Sequence, residues 1–331
     1  MYKKIIPCFM SLLLISSCHS SGKQDRTDSV QDTASTVQAP IFNPDSAYEY
    51  IARQVAFGPR VPNTEAHKKC GEYLTSELKR HGANVINQEA DVTAYDGTIL
   101  HINNIIGSFQ PENKKRVLLF AHWDTRPWAD NDPDESKHHT PILGANDGGS
   151  GVGVLLETAR LIRQQNPNIG IDIIFFDAED YGTPQWAKSG SNDEATWCLG
   201  TQYWASNPHV EDYTARYGIL LDMVGGKNPA FYQEGYSVEA AKEVVDKVWQ
   251  KASSLGYGAY FIPELGGYVT DDHLFVNRIA RIPSIDIIPT DRENGGFGYF
   301  WHTMQDNMDV IDKNTLKAVG QTLMEVIYNE K

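Results

Sequence analysis

The chain is short of positive charge. Its 29 Lys and Arg face 43 Asp and Glu, a net charge of -14. That excludes partners held through basic patches, nucleic acid and anionic membrane surfaces among them, and it suits a protein that takes up a cation. Cysteine is also scarce, with four in 331 residues. Cys8 and Cys18 fall in an N-terminal leader, so Cys70 and Cys198 leave one disulfide pairing open and no framework of bridges. No motif marks either as a metal ligand or a nucleophile. The apolar run at 5–15 is too short to span a bilayer. No GxGxxG stands in a strand-loop-helix register and no Lys-Ser/Thr follows the glycines near Asp147, so a nucleotide loop is absent. Gly149-Ser150-Gly151 lacks the Gly-x-Ser-x-Gly spacing of a nucleophile elbow. There is no internal repeat and no internal domain boundary.

What is present divides into three parts. Met1-Tyr2-Lys3-Lys4 is basic, 5–15 is apolar, and Ile15-Ser16-Ser17-Cys18 resembles a bacterial lipoprotein cleavage box. Residues 1–17 are therefore expected to be a signal peptide, with lipid on Cys18. The expected location is that of an exported lipoprotein, periplasmic or facing the cell surface and held to the membrane through that lipid alone. Residues 18–41, polar and with almost nothing to bury, read as a flexible tether. Residues 42–331 read as one globular domain, with 41% hydrophobic and 22% charged residues over the chain. No sustained apolar repeat asks for an obligate interface, so a monomer is expected.

Within that domain, apolar strand patterns alternate with helical ones. Asp45 is expected to cap a helix over 46–56, and Cys70, Tyr73, Leu74 and Leu78 mark a second helix ending near Gly82. Alternating strands are expected over 84–92 and 98–108, and buried strands over 116–121, 171–176, 218–221 and 281–288. Helices are expected over 152–164, 238–253 and 313–329. The alternation implies an αβα sandwich about a central, mostly parallel mixed sheet.

One strand carries the strongest signal. Ile171-Asp172-Ile173-Ile174-Phe175-Phe176 is apolar on both faces and then stops in Asp177-Ala178-Glu179-Asp180. Clustered carboxylates oppose one another's ionisation unless a cation offsets them. In open α/β sheets, chemistry sits beyond the carboxyl ends of strands. Glu179 and Asp180 thus read as an active-site pair, one a proton shuttle and the other a metal ligand. Other strand ends add His122 and Asp124, Asp147 and Asp222, and later segments add Asp271-Asp272-His273 and Trp301-His302. Histidine with carboxylates is a donor set that suits zinc.

These segments, His122-Trp123-Asp124, Gly144-Ala145-Asn146-Asp147, Phe176-Asp177-Ala178-Glu179-Asp180, Leu221-Asp222-Met223 and His302-Thr303-Met304, resemble the successive motifs of the zinc-dependent aminopeptidase superfamily. The likeness runs from Phe42 to the C-terminus. Trp301-His302-Thr303-Met304-Gln305-Asp306-Asn307, Asp271-Asp272-His273 and Trp186 resemble its glutaminyl cyclase branch more narrowly. That resemblance implies conversion of N-terminal Gln of peptides and proteins to pyroglutamate with release of ammonia. It implies one zinc on Asp147, Asp180 and His302, Glu179 as general acid and base, and Asp222 and Asp271 beside the leaving nitrogen. Trp186 and Trp301 are implied as walls of the substrate pocket. Animal members often have Glu where this chain has Asp180, one methylene longer. The rival on the same fold is a two-zinc aminopeptidase that hydrolyses N-terminal residues, with His122 and Asp222 as further ligands and Asp147 bridging. A non-catalytic binding domain is a third reading, opposed by the complete ligand set.

Overall fold

The computed structural model describes residues 38–187, 194–291 and 296–330. The expected signal peptide, Cys8, Cys18 and most of the expected tether lie outside the described residues. Ala39 and Phe42 are already buried, and the backbone oxygen of Pro40 accepts from Gln321. The folded unit thus begins a few residues ahead of Phe42.

Helix α1 (Pro44–Val55) is capped by Asn43, whose side-chain oxygen accepts the N–H groups of Asp45 and Ser46. Asp45, the expected cap, instead lies in the first turn. Pro44 takes the first helical position, where its missing N–H costs nothing. Helix α2 (Glu65–Arg80) buries Cys70, Leu74 and Leu78 on one face. Strands β1 (Asn84–Thr93) and β2 (Ile99–Phe109) form an antiparallel hairpin. Then come β3 (Arg116–His122), α3 (Gly149–Gln164), β4 (Gly170–Phe176), α4 (Leu199–Ser206) and β5 (Gly218–Leu221). Strand β6 (Phe231–Gln233), α5 (Gly235–Ser254), β7 (Phe261–Leu265), α6 (Asp272–Phe275), β8 (Ser284–Ile287) and α7 (Lys313–Tyr328) complete the chain. The small parallel pair β6-β7 was not legible in the sequence. Strand β8 starts later than expected because residues 276–280 continue α6 as a wide helical turn, closed by Arg281 in the left-handed region.

The main sheet has the order β1-β2-β4-β3-β5-β8. Its last four members are parallel, and β2 joins them antiparallel to β4. This is the expected αβα sandwich about a mixed, mostly parallel sheet. Strand β3 shows how the layers share it: Val117, Leu119 and Ala121 enter a large core with α1, α2, α3, α5 and α7. Leu118 and Phe120 enter a smaller core with Trp204 of α4 and Val276. Trp204 is thus a packing residue. At Gly151 an added Cβ would lie 2.1 Å from the carbonyl oxygen of Leu221, so the first turn of α3 packs directly on the end of β5. Among the described residues no helix is long and apolar enough to cross a membrane.

Candidate metal centre and active site

The four parallel strands finish at one edge of the sheet, and the polar residues seen in the sequence gather there. The backbone after β4 is the most constrained part. Ala178 stands in the left-handed region at φ 50°, which turns the chain sharply and sends Glu179 and Asp180 forward. Two carboxylates fix this turn. Asp124 accepts the N–H groups of Glu179 and Asp180 at 3.1 and 3.2 Å. Asp177 accepts those of Asn103 and Ala178 and is clamped by Nε2 of His67 at 2.8 Å. Trp123, buried, stacks on that His67 ring at 4.2 Å.

Asp147, Asp180 and His302 form the first cluster. One ligand atom from each lies within 4.8 Å of the others. Nε2 of His302 is 3.2 Å from Asp180 and 3.7 Å from Asp147. All three are buried, yet Oδ2 of Asp147 and both oxygens of Asp180 have no hydrogen-bond partner. Burial and the neighbouring charge of Asp147 hold the carboxyl of Asp180 above its ordinary range. Orphaned buried carboxylate oxygens beside an imidazole nitrogen are what a divalent cation satisfies. The residues fit the metal.

The surroundings orient these ligands. Nδ1 of His302 faces Asp130 at 3.5 Å. Arg126 forks onto Asp130 at 2.8 and 2.7 Å, donates to the backbone oxygens of Asp180 and Gly182, and lies under the Trp197 ring at 4.7 Å. A carboxylate behind a metal-binding His is a recurrent tuning device.

A second cluster shares Asp147. Nε2 of His122 is 3.1 Å from Asp147 and 3.3 Å from Asp222. Both clusters open toward a cavity of about 500 Å³, lined by Glu179, Asp222, Asp271, Trp197, Phe297 and Trp301 among others. Burial pushes Glu179 well above its ordinary pKa, against the pull of His122 and with added repulsion from Asp271 and Asp180. Its Oε1 accepts from the thiol of Cys198 at 3.3 Å. Burial raises Asp222 to about 6, and burial with the charge of Asp222 raises Asp271 to about 7.

Every expected ligand and acid therefore reaches one site, and Trp301 lines it, stacked on His302 at 3.8 Å. Trp186 does not. It is 45% exposed and packs against Trp128 and His139 away from the cavity. His138 and His139 join that surface cluster, with His138 bonded to the backbone oxygen of Asp132. The wall expected from Trp186 is supplied by Trp197, whose ring lies parallel to His302 at 6.1 Å. Cys70 and Cys198 are free buried thiols and do not pair. Arg126, Asp130 and Asp306 were not singled out as site residues.

The model of peptidase family M28 matches residues 104–327, which include every residue of both clusters. The chain belongs to peptidase family M28. It is similar to the Bacteroides thetaiotaomicron glutaminyl cyclase, solved bound to N-acetylhistamine. The two are 65% identical over 89% of this chain and 100% of that one, with a TM-score of 0.87. A Zn-dependent exopeptidase of Parabacteroides distasonis has the same identity and TM-score over 88% of this chain and 100% of its own. A glutaminyl-peptide cyclotransferase of Drosophila melanogaster is 26% identical over 282 residues, 78% of this chain and 73% of its own length. These relationships put the chain with the glutaminyl cyclases of family M28 and imply zinc as its metal. The M28 match begins at Asn104 in β2 and ends in α7, so it takes in the sheet edge on which the site is built.

Proposed function

We propose that this protein is a zinc-dependent glutaminyl-peptide cyclotransferase. It closes the side chain of an N-terminal Gln onto the peptide's own α-amino group and releases ammonia. The observation that carries this reading is the 65% identity to a bacterial glutaminyl cyclase over the whole of that chain. Asp147, Asp180 and His302 would hold one zinc per chain, which when bound would supply Lewis-acid polarisation of the substrate's γ-carbonyl.

The chain's own residues supply the rest. Glu179 takes the proton that the α-amine loses on attack and delivers it to the departing nitrogen, so ammonia leaves and no water is consumed. Burial and acidic neighbours move Glu179 toward the proton affinity such an exchange needs. Asp222 and Asp271 accept hydrogen bonds from the leaving amide nitrogen once ionised. Trp197, Trp301 and Phe297 line the cavity with apolar surface that limits water access. Nucleophile and electrophile belong to one substrate, so much of the rate comes from holding them in contact.

A second reading is a two-zinc aminopeptidase, favoured by His122, Asp147 and Asp222 standing at ligand spacing beside the first cluster. One experiment separates the two. A Gln-initiated and a Leu-initiated peptide are incubated with the purified protein and followed by mass spectrometry, with zinc counted per chain. Loss of ammonia from the first alone, with one zinc, is expected. Release of a free N-terminal residue, with two zinc ions, would establish the aminopeptidase instead.

We also propose that the protein is an exported lipoprotein anchored through Cys18, periplasmic or facing the cell surface, and a monomer. The basic start, the short apolar run and the small residues ahead of Cys18 support the anchor. Cys18→Ser should move the protein from the membrane fraction to the soluble one, and light scattering on the soluble domain should give one chain's mass.

A further inference from the structure

The start of α4 meets both halves of the active site. Its sequence is Cys198-Leu199-Gly200-Thr201, and the start of any helix leaves four N–H groups without an internal partner. Three of those groups are spent here on the turn after β4. Cys198, Leu199 and Gly200 donate, each at 3.0 Å, to the backbone oxygens of Glu179, Ala178 and Asp177 in that order. Cys198 stands in the left-handed region at φ 55°, so α4 begins directly against Ala178, which is left-handed too. Gly200 leaves no room for a side chain: an added Cβ would lie 2.2 Å from the backbone oxygen of Asp177 and 2.6 Å from Oδ1 of Asn104. Asn104 clasps the contact from the other side. It donates to the backbone oxygen of Gly200 at 2.9 Å and accepts the N–H of Asp177 at 3.1 Å.

Two side chains of the same short stretch reach further, in different directions. The thiol of Cys198 donates to Oε1 of Glu179 at 3.3 Å. The hydroxyl of Thr201 donates to Oδ1 of Asp272 at 2.5 Å, while Oδ2 of that carboxylate has no hydrogen-bond partner among the described residues. The N–H of Asp272 is in turn held by Oδ1 of Asp271 at 2.6 Å. One side-chain atom each of Glu179, Cys198 and Asp271 lies within 4.8 Å of the other two. Cys198, Gly200, Thr201 and Asp272 are all buried. Glu179 follows β4 and Asp271 caps α6, so no local backbone fixes one against the other. The first turn of α4 touches both.

We propose that the stretch from Cys198 to Thr201 is a brace that sets the position of Glu179 relative to Asp271, with Cys198 and Thr201 as positioning residues at its two ends. The tasks given to Glu179 and Asp271 rest on the cyclase reading; the brace itself rests on the contacts above. Proton transfer from amine to leaving nitrogen needs Glu179 and the acceptor of that nitrogen in register on one small substrate, and the brace supplies that register. Neither Cys198 nor Thr201 touches a ligand of the first metal cluster, so the brace acts on turnover and leaves metal binding to other contacts.

The test is a double-mutant cycle on kcat with a Gln-initiated peptide and zinc-loaded protein, with KM and zinc per chain measured on the same samples. Thr201→Val exchanges the hydroxyl for a methyl of similar size, and Cys198→Ala removes the thiol. Each should lower kcat about 10- to 100-fold with KM and zinc content little changed, because small misplacements of reacting groups carry losses of that order. Either change alone frees Glu179 from Asp271, so the double variant should fall little below the worse single one. Thr201→Ser keeps the hydroxyl and should recover most of kcat. Losses that multiply in the double variant would mean two separate local supports and overturn the inference. So would a Thr201→Ser as impaired as Thr201→Val, or zinc lost together with kcat. If Thr201→Val does not fold, Cys198→Ala decides, and an unchanged kcat there sinks the brace. If wild type itself releases no ammonia from the peptide, it is the cyclase reading that falls, and the task given to Asp271 goes with it.

Discussion

Asp306 accepts the backbone N–H of Asp147 at 2.9 Å on one carboxylate oxygen, and its other oxygen takes the N–H of Asn146 at 2.8 Å. A carboxylate only four positions after His302 thus holds the loop that presents another ligand. Asp306→Asn keeps the shape but turns an amide toward one of these N–H groups. The expected result is a fold that persists and a zinc affinity lower by about 10- to 100-fold. Chelator competition measures this. Unaltered affinity would remove Asp306 from the support of the site.

Glu179 and Asp180 are neighbours with different tasks, so their variants should separate. Glu179→Gln is expected to keep its zinc and lose about 10²–10⁴ in kcat. His302→Ala is expected to lose the metal. Zinc content and turnover, measured on the same samples, decide. Full activity in Glu179→Gln would require another proton carrier.

The two tryptophans of the 181–198 segment offer a contrast. Trp197→Ala opens the cavity wall and removes the ring over Arg126, and should lower kcat/KM by about 10-fold or more. Trp186→Ala alters an exposed surface cluster and should leave kcat/KM within about twofold. Equal losses would place Trp186 in the substrate's path after all.

The metal-free protein should be less stable at higher pH. Burial and the charge of Asp271 raise Asp272 to about 8, and Asp271 itself stands at about 7. Between their unfolded values near 4 and these folded ones, the native state binds more protons than the unfolded chain, so stability falls as pH rises. The loss is complete above about pH 8. Thermal unfolding of chelator-treated protein from pH 5 to 8 should show a falling midpoint. A midpoint that climbs over that window would contradict the assignment.

Much of this was legible in the sequence because its signals are local. A fully apolar strand that ends in Asp177-Ala178-Glu179-Asp180 announces both a buried β4 and charge beyond it. The seven expected residues from Asp147 to His302 that line the cavity were found through strand ends and motif order. What stayed hidden depends on tertiary contact. Asp286 reads as one acid in a short apolar strand, and only its meeting with His273 makes it notable. Glu234 lies ahead of the helix expected over 238–253 and carries no mark in the sequence; the structure makes it the cap of α5. Trp186 and Trp197 stand in a loop with no periodicity, so nothing local says which one turns inward. Arg126 and Asp130 form an i,i+4 pair without a helix, and their pairing follows from the metal-side loops they join.

The strand order β1-β2-β4-β3-β5-β8 also bears on how the chain reaches its native state. The β1-β2 hairpin can pair as soon as it is made, but the open edge of β2, with Ile105 and Ile106, waits for Phe175 and Ile174 of β4. Non-local pairing of this kind is slow, and an unpaired apolar edge is a place for misassociation. His302 arrives later still. A chain made from its N-terminus therefore passes through stages that have most of the sheet and no complete metal trio, so zinc can stabilise only the finished fold and cannot guide the earlier steps.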